Sequence, residues 1–346
     1  MQNRKAKTLW KSIETICTVL LTACQAEHAF QLSYLCCYGR INLSVRILPE
    51  DTLSMVIRNL QGVNSLKKRA VISVNLAVLL FGLAGLFAKW IHQPALVITF
   101  GRVFFSSIAL GITMLIRNQR FRIADRKDFF LLICAGAILA LHWWTFLKAI
   151  QLSTVAIGTI TFSSFPMFVT FLEPLFFHQK VRLRSVLAAA VILLGVVVTV
   201  PELSVKNEMF LGIAVGLVSA MSYAFLTVMN KVFVTRYNGM LTAFYEQAAA
   251  AVLLLPFMLK SGICFSYTDL FLLLFLGVVT TALAHTLFIS SLKELPAQLA
   301  GICSSMETVY GILFALLLLG EIPSIREIVG AVIIVGVVVA AQLQAA

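Results

Sequence analysis

The chain has 346 residues, of which 60% are hydrophobic and 12% are charged, and its mean hydropathy is +0.96. Soluble globular proteins of this length are far more polar, so the composition excludes that class and indicates a polytopic membrane protein. The net charge of +12 does not indicate a nucleic-acid partner, because the basic residues after residue 66 lie mostly in the flanks and loops of apolar segments.

Residues 1–66 differ from the rest of the chain. Single charges alternate there with short apolar pieces, and the longest piece, from Ile16 to Ala23, is too short to cross a bilayer. We expect an N-terminal extension that is poorly ordered. An alternative is that translation begins at Met55, which would leave only a short basic leader before the first apolar helix.

Ten apolar segments follow, and each is predicted to be a membrane helix. Their predicted limits are 71–91, 96–116, 129–148, 155–177, 184–200, 209–231, 240–259, 269–291, 297–319 and 327–344. With the N-terminus placed inside, fourteen Lys and Arg residues fall in inner flanks and loops and four fall in outer ones. Cytoplasmic loops hold Lys and Arg, so both termini are predicted to be cytoplasmic.

An internal repeat relates the two halves of the chain. Residues 156–198 match 297–339 without a gap, and Ser163-Ser164 falls on Ser304-Ser305. Each half then holds five helices, an odd number, so the second half enters the membrane with the opposite orientation. Inverted repeats of this kind bind a substrate near the membrane midplane, at the seam between the halves.

The predicted fold is therefore an all-α polytopic membrane protein with ten transmembrane helices in two inverted five-helix repeats. The predicted domains are an extension at 1–66, a first repeat at 70–200 and a second repeat at 209–345. Gly195 and Gly336 occupy equivalent places on short helices, where small residues favour close helix packing or a dimer surface.

Seven cysteines occur in the chain, without the CxxC spacing of a zinc or redox site. Neither a metal nor another cofactor is expected. The expected partners are a small-molecule substrate and the lipid bilayer of the cytoplasmic (inner) membrane, together with a second copy if a homodimer forms.

The two repeats resemble the drug/metabolite transporter superfamily, specifically its EamA-type members. Each repeat has a helix that ends in a charged turn and is followed by a short glycine-bearing helix. The closest local match is Met306 to Val339, with Leu319-Gly320-Glu321 followed by Gly330 and Gly336. In the first repeat, Gln179-Lys180 stands where the second has Gly320-Glu321.

The resemblance covers about residues 70–345. It implies alternating-access transport of a small organic metabolite, an amino acid or a similar compound, in the direction of export. A broader exporter of drug-like or aromatic cations is the alternative. An intramembrane enzyme is a reading of another class, but neither HExxH nor GxSxG is present, so we do not expect an enzyme.

Ionisable residues at membrane depth need a partner or an aqueous cavity. Glu307 lies near the middle of the ninth predicted helix, with Ser304 and Tyr310 close by on the same helix. His285 lies at a similar depth on the eighth helix, so a His–Glu pair there would relay protons. The structural alternatives are pairing of Glu307 with another helix and a histidine hydrogen-bonded to a backbone carbonyl.

The first repeat offers a second set of candidates for the substrate site. Thr159 and Ser163 belong to a polar stripe on the fourth helix, which predicts either a cavity wall or close helix packing. His142, Trp143 and Trp144 on the third helix predict either a pocket for an aromatic or cationic substrate or an interfacial aromatic belt.

Three further charges lie inside predicted helices. Arg102 and Glu246 occupy equivalent places in the two repeats, so they are candidates for gate charges on opposite sides of the membrane. Lys89 lies near the outer end of the first helix and is a candidate of the same kind. Local charge satisfaction is the structural alternative for all three.

Overall fold

The computed structural model describes residues 66, 69–178, 183–199, 207–261 and 265–345, which all belong to one compact unit. Helices and short connections make up this part of the chain, and it contains no strand. We number the helices in chain order: α1 Arg69–Trp90, α2 Ala95–Ile116, α3 Arg126–Leu152, α4 Val155–Phe177, α5 Leu183–Thr199, α6 Glu208–Phe233, α7 Gly239–Ser261, α8 Tyr267–Ser291, α9 Ala297–Leu319 and α10 Ile325–Ala345. The extension at 1–66 and Gln179-Lys180 lie almost wholly outside the described residues.

Eight of these helices are long and apolar enough to cross a membrane. They are α1 to α4 and α6 to α9. The other two, α5 and α10, pack against each other, with Ile192, Val196 and Ile334 buried between them. The all-helical membrane fold is confirmed in the described residues, whereas the count of ten spans stays a prediction.

Local sequence explains where several helices begin and end. The Asp125, Thr154 and Asn207 side chains accept hydrogen bonds from the first backbone amides of α3, α4 and α6. Such caps satisfy donors that have no partner inside the helix. Gly320 ends α9 with a φ of 68°, a left-handed conformation that glycine adopts without steric cost.

Two of the helices are interrupted at equivalent places. Helix α4 is interrupted at Ser163-Ser164, just before Pro166, whose nitrogen has no hydrogen to donate. Helix α9 is interrupted at Ser305, the repeat mate of Ser164. Helix α8 contains a π-helical segment at Val278–Leu283, a distortion that is frequent near functional sites.

Contacts between the halves are reciprocal: a contact made by a helix of one half has a counterpart made by the equivalent helix of the other half. Helix α2 packs against α7, α4 against α9 and α5 against α10, and each of these pairs joins equivalent helices. The contact of α3 with α7 has its counterpart in the contact of α2 with α8. Gly195 approaches Ile334 of α10, while no heavy atom lies within 4 Å of a Cβ placed on Gly336.

The α6–α7 loop contacts the start of α3. Asp128 at the start of α3 accepts hydrogen bonds from Arg236 Nη1 at 2.9 Å and from the Tyr237 hydroxyl at 2.7 Å. Burial, followed by the hydrogen bond to the Asp128 carboxylate, raises the pKa of Tyr237. These contacts join the α6–α7 loop to α3 at the end that is predicted to face the cytoplasm.

Candidate functional site

A small cavity lies where helices from both halves meet. Its volume is about 20 Å³, which is enough for roughly one water molecule. The lining side chains come from six helices, namely Phe81, Ala84, Arg102, His142, Trp143, Phe146, Phe162, Tyr223 and Glu307. An organic metabolite is larger than this volume, so the cavity has to widen before it binds one.

Arg102 is the basic group of the cavity. Only 1% of its surface is exposed, so it needs compensating contacts inside the membrane. Its guanidinium carbon lies 3.8 Å from the ring centroid of Trp143, a cation–π geometry. Its Nε donates to Thr281 Oγ1 at 3.1 Å, within the π-helical segment of α8. These two contacts fix the guanidinium beside the cavity.

Glu307 is the acidic group of the cavity and is 4% exposed. It lies on α9, about 15 Å from the start of that helix at 1.5 Å per residue. Glu307 and Arg102 line the same cavity, one from each half of the chain. The cavity therefore presents a carboxyl group and a guanidinium to the same small volume.

Aromatic rings complete the cavity wall. The His142 ring stacks on Tyr223 with a centroid distance of 4.4 Å, and its Nδ1 lies 2.9 Å from Ser219 Oγ. Phe146 and Phe162 each pack beside the His142 ring. The Tyr223 hydroxyl is buried and has no hydrogen-bond partner among the described residues. Such a hydroxyl is available to a ligand once the cavity widens.

A buried Glu–His pair lies next to Trp143. His285 Nε2 is 2.8 Å from Glu246 Oε2, and both side chains are completely buried. The Trp143 ring separates this pair from the cavity, with its centroid 5.5 Å from that of His285. His285 therefore pairs with Glu246, and the predicted pairing of His285 with Glu307 is wrong. Helix α8, with its π-helical segment, packs against α7 and brings His285 to Glu246.

Several predicted site residues contact their own helix or the α4–α9 interface. Thr159 Oγ1 donates to the Val155 carbonyl, and Ser304 Oγ donates to the Ala300 carbonyl. Ser163 forms a short hydrogen bond with Thr308, which also donates to the Thr159 carbonyl at 3.0 Å. This part of the polar stripe consequently joins α4 to α9 and does not line the cavity.

The remaining candidates lie further away from the cavity. Trp144 is 41% exposed on the outside of the bundle, as an aromatic-belt residue would be. Tyr310 packs against Gly82 of α1, where its Cβ would lie 2.6 Å from an added methyl group. Lys89 Nζ donates to the Ser153 carbonyl at 2.8 Å. None of the three lines the cavity in this conformation.

Arg102 and Glu246 do not lie at opposite mouths of the bundle. Arg102 contacts the cavity, and Glu246 is held by His285 in the interior. The sequence-based candidates did not include Phe81, Ala84 or Phe162, because apolar residues in an apolar helix carry no pattern that separates a cavity wall from packing.

Known proteins resemble this chain in sequence and in fold. The model of the EamA-like transporter family matches this chain twice, at residues 68–200 and 210–341. Among curated proteins, the uncharacterized transporter YxxF of Bacillus subtilis is 22% identical over 273 residues, which cover 78% of this chain and 88% of that protein.

An S-adenosylmethionine uptake transporter of Rickettsia felis is 25% identical over 239 residues, 69% of this chain and 79% of that protein. A solved crystal structure superposes with a TM-score of 0.62 at 17% identity, over 80% of this chain and 96% of the other. That similarity concerns the fold alone.

Proposed function

Because this chain belongs to the EamA-like transporter family, we propose that it is a secondary transporter that moves a small organic metabolite by alternating access. The chain is a multi-pass membrane protein whose curated relatives are named as transporters. We propose its substrate class, its direction of transport and its orientation in the membrane as well.

The observation that carries the proposal is that Arg102 and Glu307 both line one cavity whose other walls are aromatic rings. A guanidinium binds a carboxylate in a directional, charge-assisted manner, and a buried carboxylate binds an ammonium group. An α-amino acid carries both groups on neighbouring atoms. The proposed substrate is therefore an amino acid or a similar zwitterion, whose side group packs against the aromatic wall.

The arrangement of the helices supports alternating access. Both halves contribute to the cavity, and the reciprocal contacts of α2 with α7 and of α4 with α9 fit two inverted five-helix repeats. Rocking of such halves opens a midplane site to one side at a time. We propose ten spans with both termini in the cytoplasm, as the distribution of Lys and Arg predicts.

The Rickettsia relative narrows the choice of candidate compounds. S-adenosylmethionine, the compound in its name, is itself an α-amino acid and carries a sulfonium cation and a flat adenine ring. These groups match the charges and the aromatic surfaces of the cavity. We propose export as the direction for this chain, and uptake is the opposite outcome of the same test, because an alternating-access cycle is reversible.

A broader exporter of aromatic or drug-like cations is the second candidate. The aromatic wall together with Glu307 favours it, since cations bind to aromatic faces and to carboxylates. Arg102 distinguishes the two candidates. A cation without a carboxylate gains nothing from the guanidinium, whereas a zwitterion needs it.

Mass spectrometry of medium and cytosol tests the proposal in cells that overproduce the protein. We expect one class of amino-acid-like compounds to accumulate outside with the native chain, and not with Glu307→Gln. Glu208→Gln serves as the control, because Glu208 is exposed in the first turn of α6. Equal export by the native and Glu307→Gln proteins would show that Glu307 is not part of the substrate site. Accumulation inside the cell would reverse the proposed direction.

A further inference from the structure

The two ends of the α4–α9 pair are held by carboxylates from opposite halves of the chain. The first backbone amides of a helix have no partner inside that helix. At the start of α9, Glu173 of α4 supplies two acceptors: Oε1 accepts from Ala297 N at 3.1 Å, and Oε2 accepts from Gln298 N at 2.9 Å. Glu173 thus caps a helix of the other half.

The opposite end of the bundle has the corresponding arrangement. Glu321, just after α9, accepts from Val155 N at the start of α4 at 3.1 Å. Glu327 of α10 accepts from Thr154 Oγ1 at 2.9 Å. Carboxylates of the second half therefore cap the first half here, as Glu173 caps the second half at the other end.

Two lysines at equivalent places hold the loops that precede these capped helices. Lys89 at the end of α1 donates to the Ser153 carbonyl at 2.8 Å, just before α4. Lys231 at the end of α6 donates to the Leu292 and Leu295 carbonyls at 2.6 and 2.9 Å, just before α9. Each lysine stays within its own half. Each loop is thus fixed to its own half, while the amides after it are bound by the other half.

We infer that Glu173 and the pair Glu321 with Glu327 are the two gates of the transport cycle. Glu173 closes the end that is predicted to be cytoplasmic, and the pair closes the other end. The inference rests on the proposed alternating access, in which the halves separate at one end at a time. Separation of α4 from α9 at either end has to break the carboxylate–amide bonds there.

The small size of the cavity fits this assignment, because both sets of bonds are formed in the structure whose cavity has a volume of only about 20 Å³. Hydrogen bonds between a carboxylate and backbone amides are charge-assisted and stronger than neutral ones. Water replaces them only where the end of the bundle is open. Loss of one set is consequently expected to favour the conformation that is open at that end.

The test measures access to the cavity from each side of the membrane. In a chain whose seven cysteines are replaced, Ala84→Cys places one thiol in the cavity wall. A membrane-impermeant thiol reagent is applied to oriented vesicles from either face, without substrate. Glu173→Gln is expected to raise the modification rate by about tenfold from the face predicted to be cytoplasmic and to lower it from the other. Glu321→Gln is expected to have the reverse effect.

A second pair of variants removes the donors and leaves the carboxylates in place. Ala297→Pro and Val155→Pro each delete one capped amide at the first position of a helix, where proline is tolerated. The preceding residues, Pro296 and Thr154, have ψ of 147° and 164°, which suits a following proline. Each proline variant is expected to shift access in the same direction as the glutamine variant at its own end.

Matched controls are Glu294→Gln and Glu208→Gln, which change exposed glutamates at the same two ends. The gate assignment is overturned if the four variants change the modification rate equally from both faces, or if their rates match those of these controls. Transport by the parent protein is measured in parallel. If the parent protein transports and the variants leave access to Ala84→Cys unchanged, the gate assignment is wrong and the proposed function stands. If the parent protein does not transport and its cavity is accessible from neither face, both the proposed function and the gate assignment are wrong.

Discussion

The cavity wall and the α4–α9 crossing lie next to each other, and both contain polar side chains within apolar helices. At the crossing, Thr159, Ser163 and Thr308 bond to carbonyls or to one another, so their polar atoms are satisfied by the fold. In the wall, Glu307 faces the cavity and the Tyr223 hydroxyl has no partner among the residues described. The difference separates groups that hold helices together from groups that are free to meet a substrate.

Substitution of Arg102 in the cavity wall is expected to have the largest effect on transport. Arg102→Gln leaves the carboxylate of a zwitterion without its partner, and loss of a buried charged partner costs about 2–5 kcal/mol. We expect transport of an amino-acid-like substrate to fall by about 1000-fold, measured as labelled exchange in vesicles. Arg102→Lys keeps the charge without the planar group and is expected to retain part of the activity. Transport that survives Arg102→Gln would favour cations as substrates.

The Glu246–His285 pair is expected to determine stability more than substrate recognition. Glu246→Leu leaves His285 without its partner in an apolar interior, so we expect a loss of about 3 kcal/mol in unfolding free energy. His285→Leu is expected to act similarly, and the double variant to cost less than the sum of the two. Thermal unfolding in detergent provides the measurement. Additive losses would show that the two side chains are not coupled.

Substitution of Thr308 at the α4–α9 crossing is expected to lower stability by a smaller amount and to leave transport nearly unchanged. Thr308→Val removes a hydrogen bond to Ser163 and one to the Thr159 carbonyl while it keeps the side-chain shape. We expect a stability loss of about 1–2 kcal/mol, with transport per folded molecule within about twofold of the parent. A selective loss of substrate affinity in this variant would place the crossing inside the binding site.

Substitution of two predicted site residues, Ser304 and Trp144, is expected to change transport least. Ser304→Ala removes a bond to the residue's own helix backbone, and Trp144→Leu changes an exposed side chain on the outer surface. We expect transport by both variants to stay within about twofold of the parent. Substrate-affinity measurements on purified protein would detect a larger change, which would require another conformation in which these residues reach the cavity.

Much of the helical organisation was predictable from the sequence. Apolar length and basic flanks located α1 to α4 and α6 to α9 because these signals arise directly from the bilayer. The Ser-Ser repeat predicted equivalent positions in the two halves, and both of those positions are helix interruptions. The π-helical segment of α8 was not predictable, because no local residue pattern specifies it.

The candidate site was predictable only in its ionisable residues. Burial of a charge in a membrane is costly, so Arg102, Glu307 and His285 were conspicuous before any contact was known. Serine and threonine were ambiguous, because their hydroxyls bond to the backbone three or four residues earlier as readily as they line a cavity. The pairing of His285 with Glu246, 39 positions away, depends on how α8 packs against α7.

Counterflow in vesicles tests the central claim most directly, since it measures exchange through the cavity without a driving gradient. Vesicles with the native protein, Glu307→Gln or the Glu208→Gln control are loaded with unlabelled amino acids or S-adenosylmethionine and given the labelled compound outside. We expect exchange of one such zwitterion by the native and control proteins, and a loss of about 100-fold in Glu307→Gln. Equal exchange by all three proteins would contradict a substrate site built on Glu307 and Arg102.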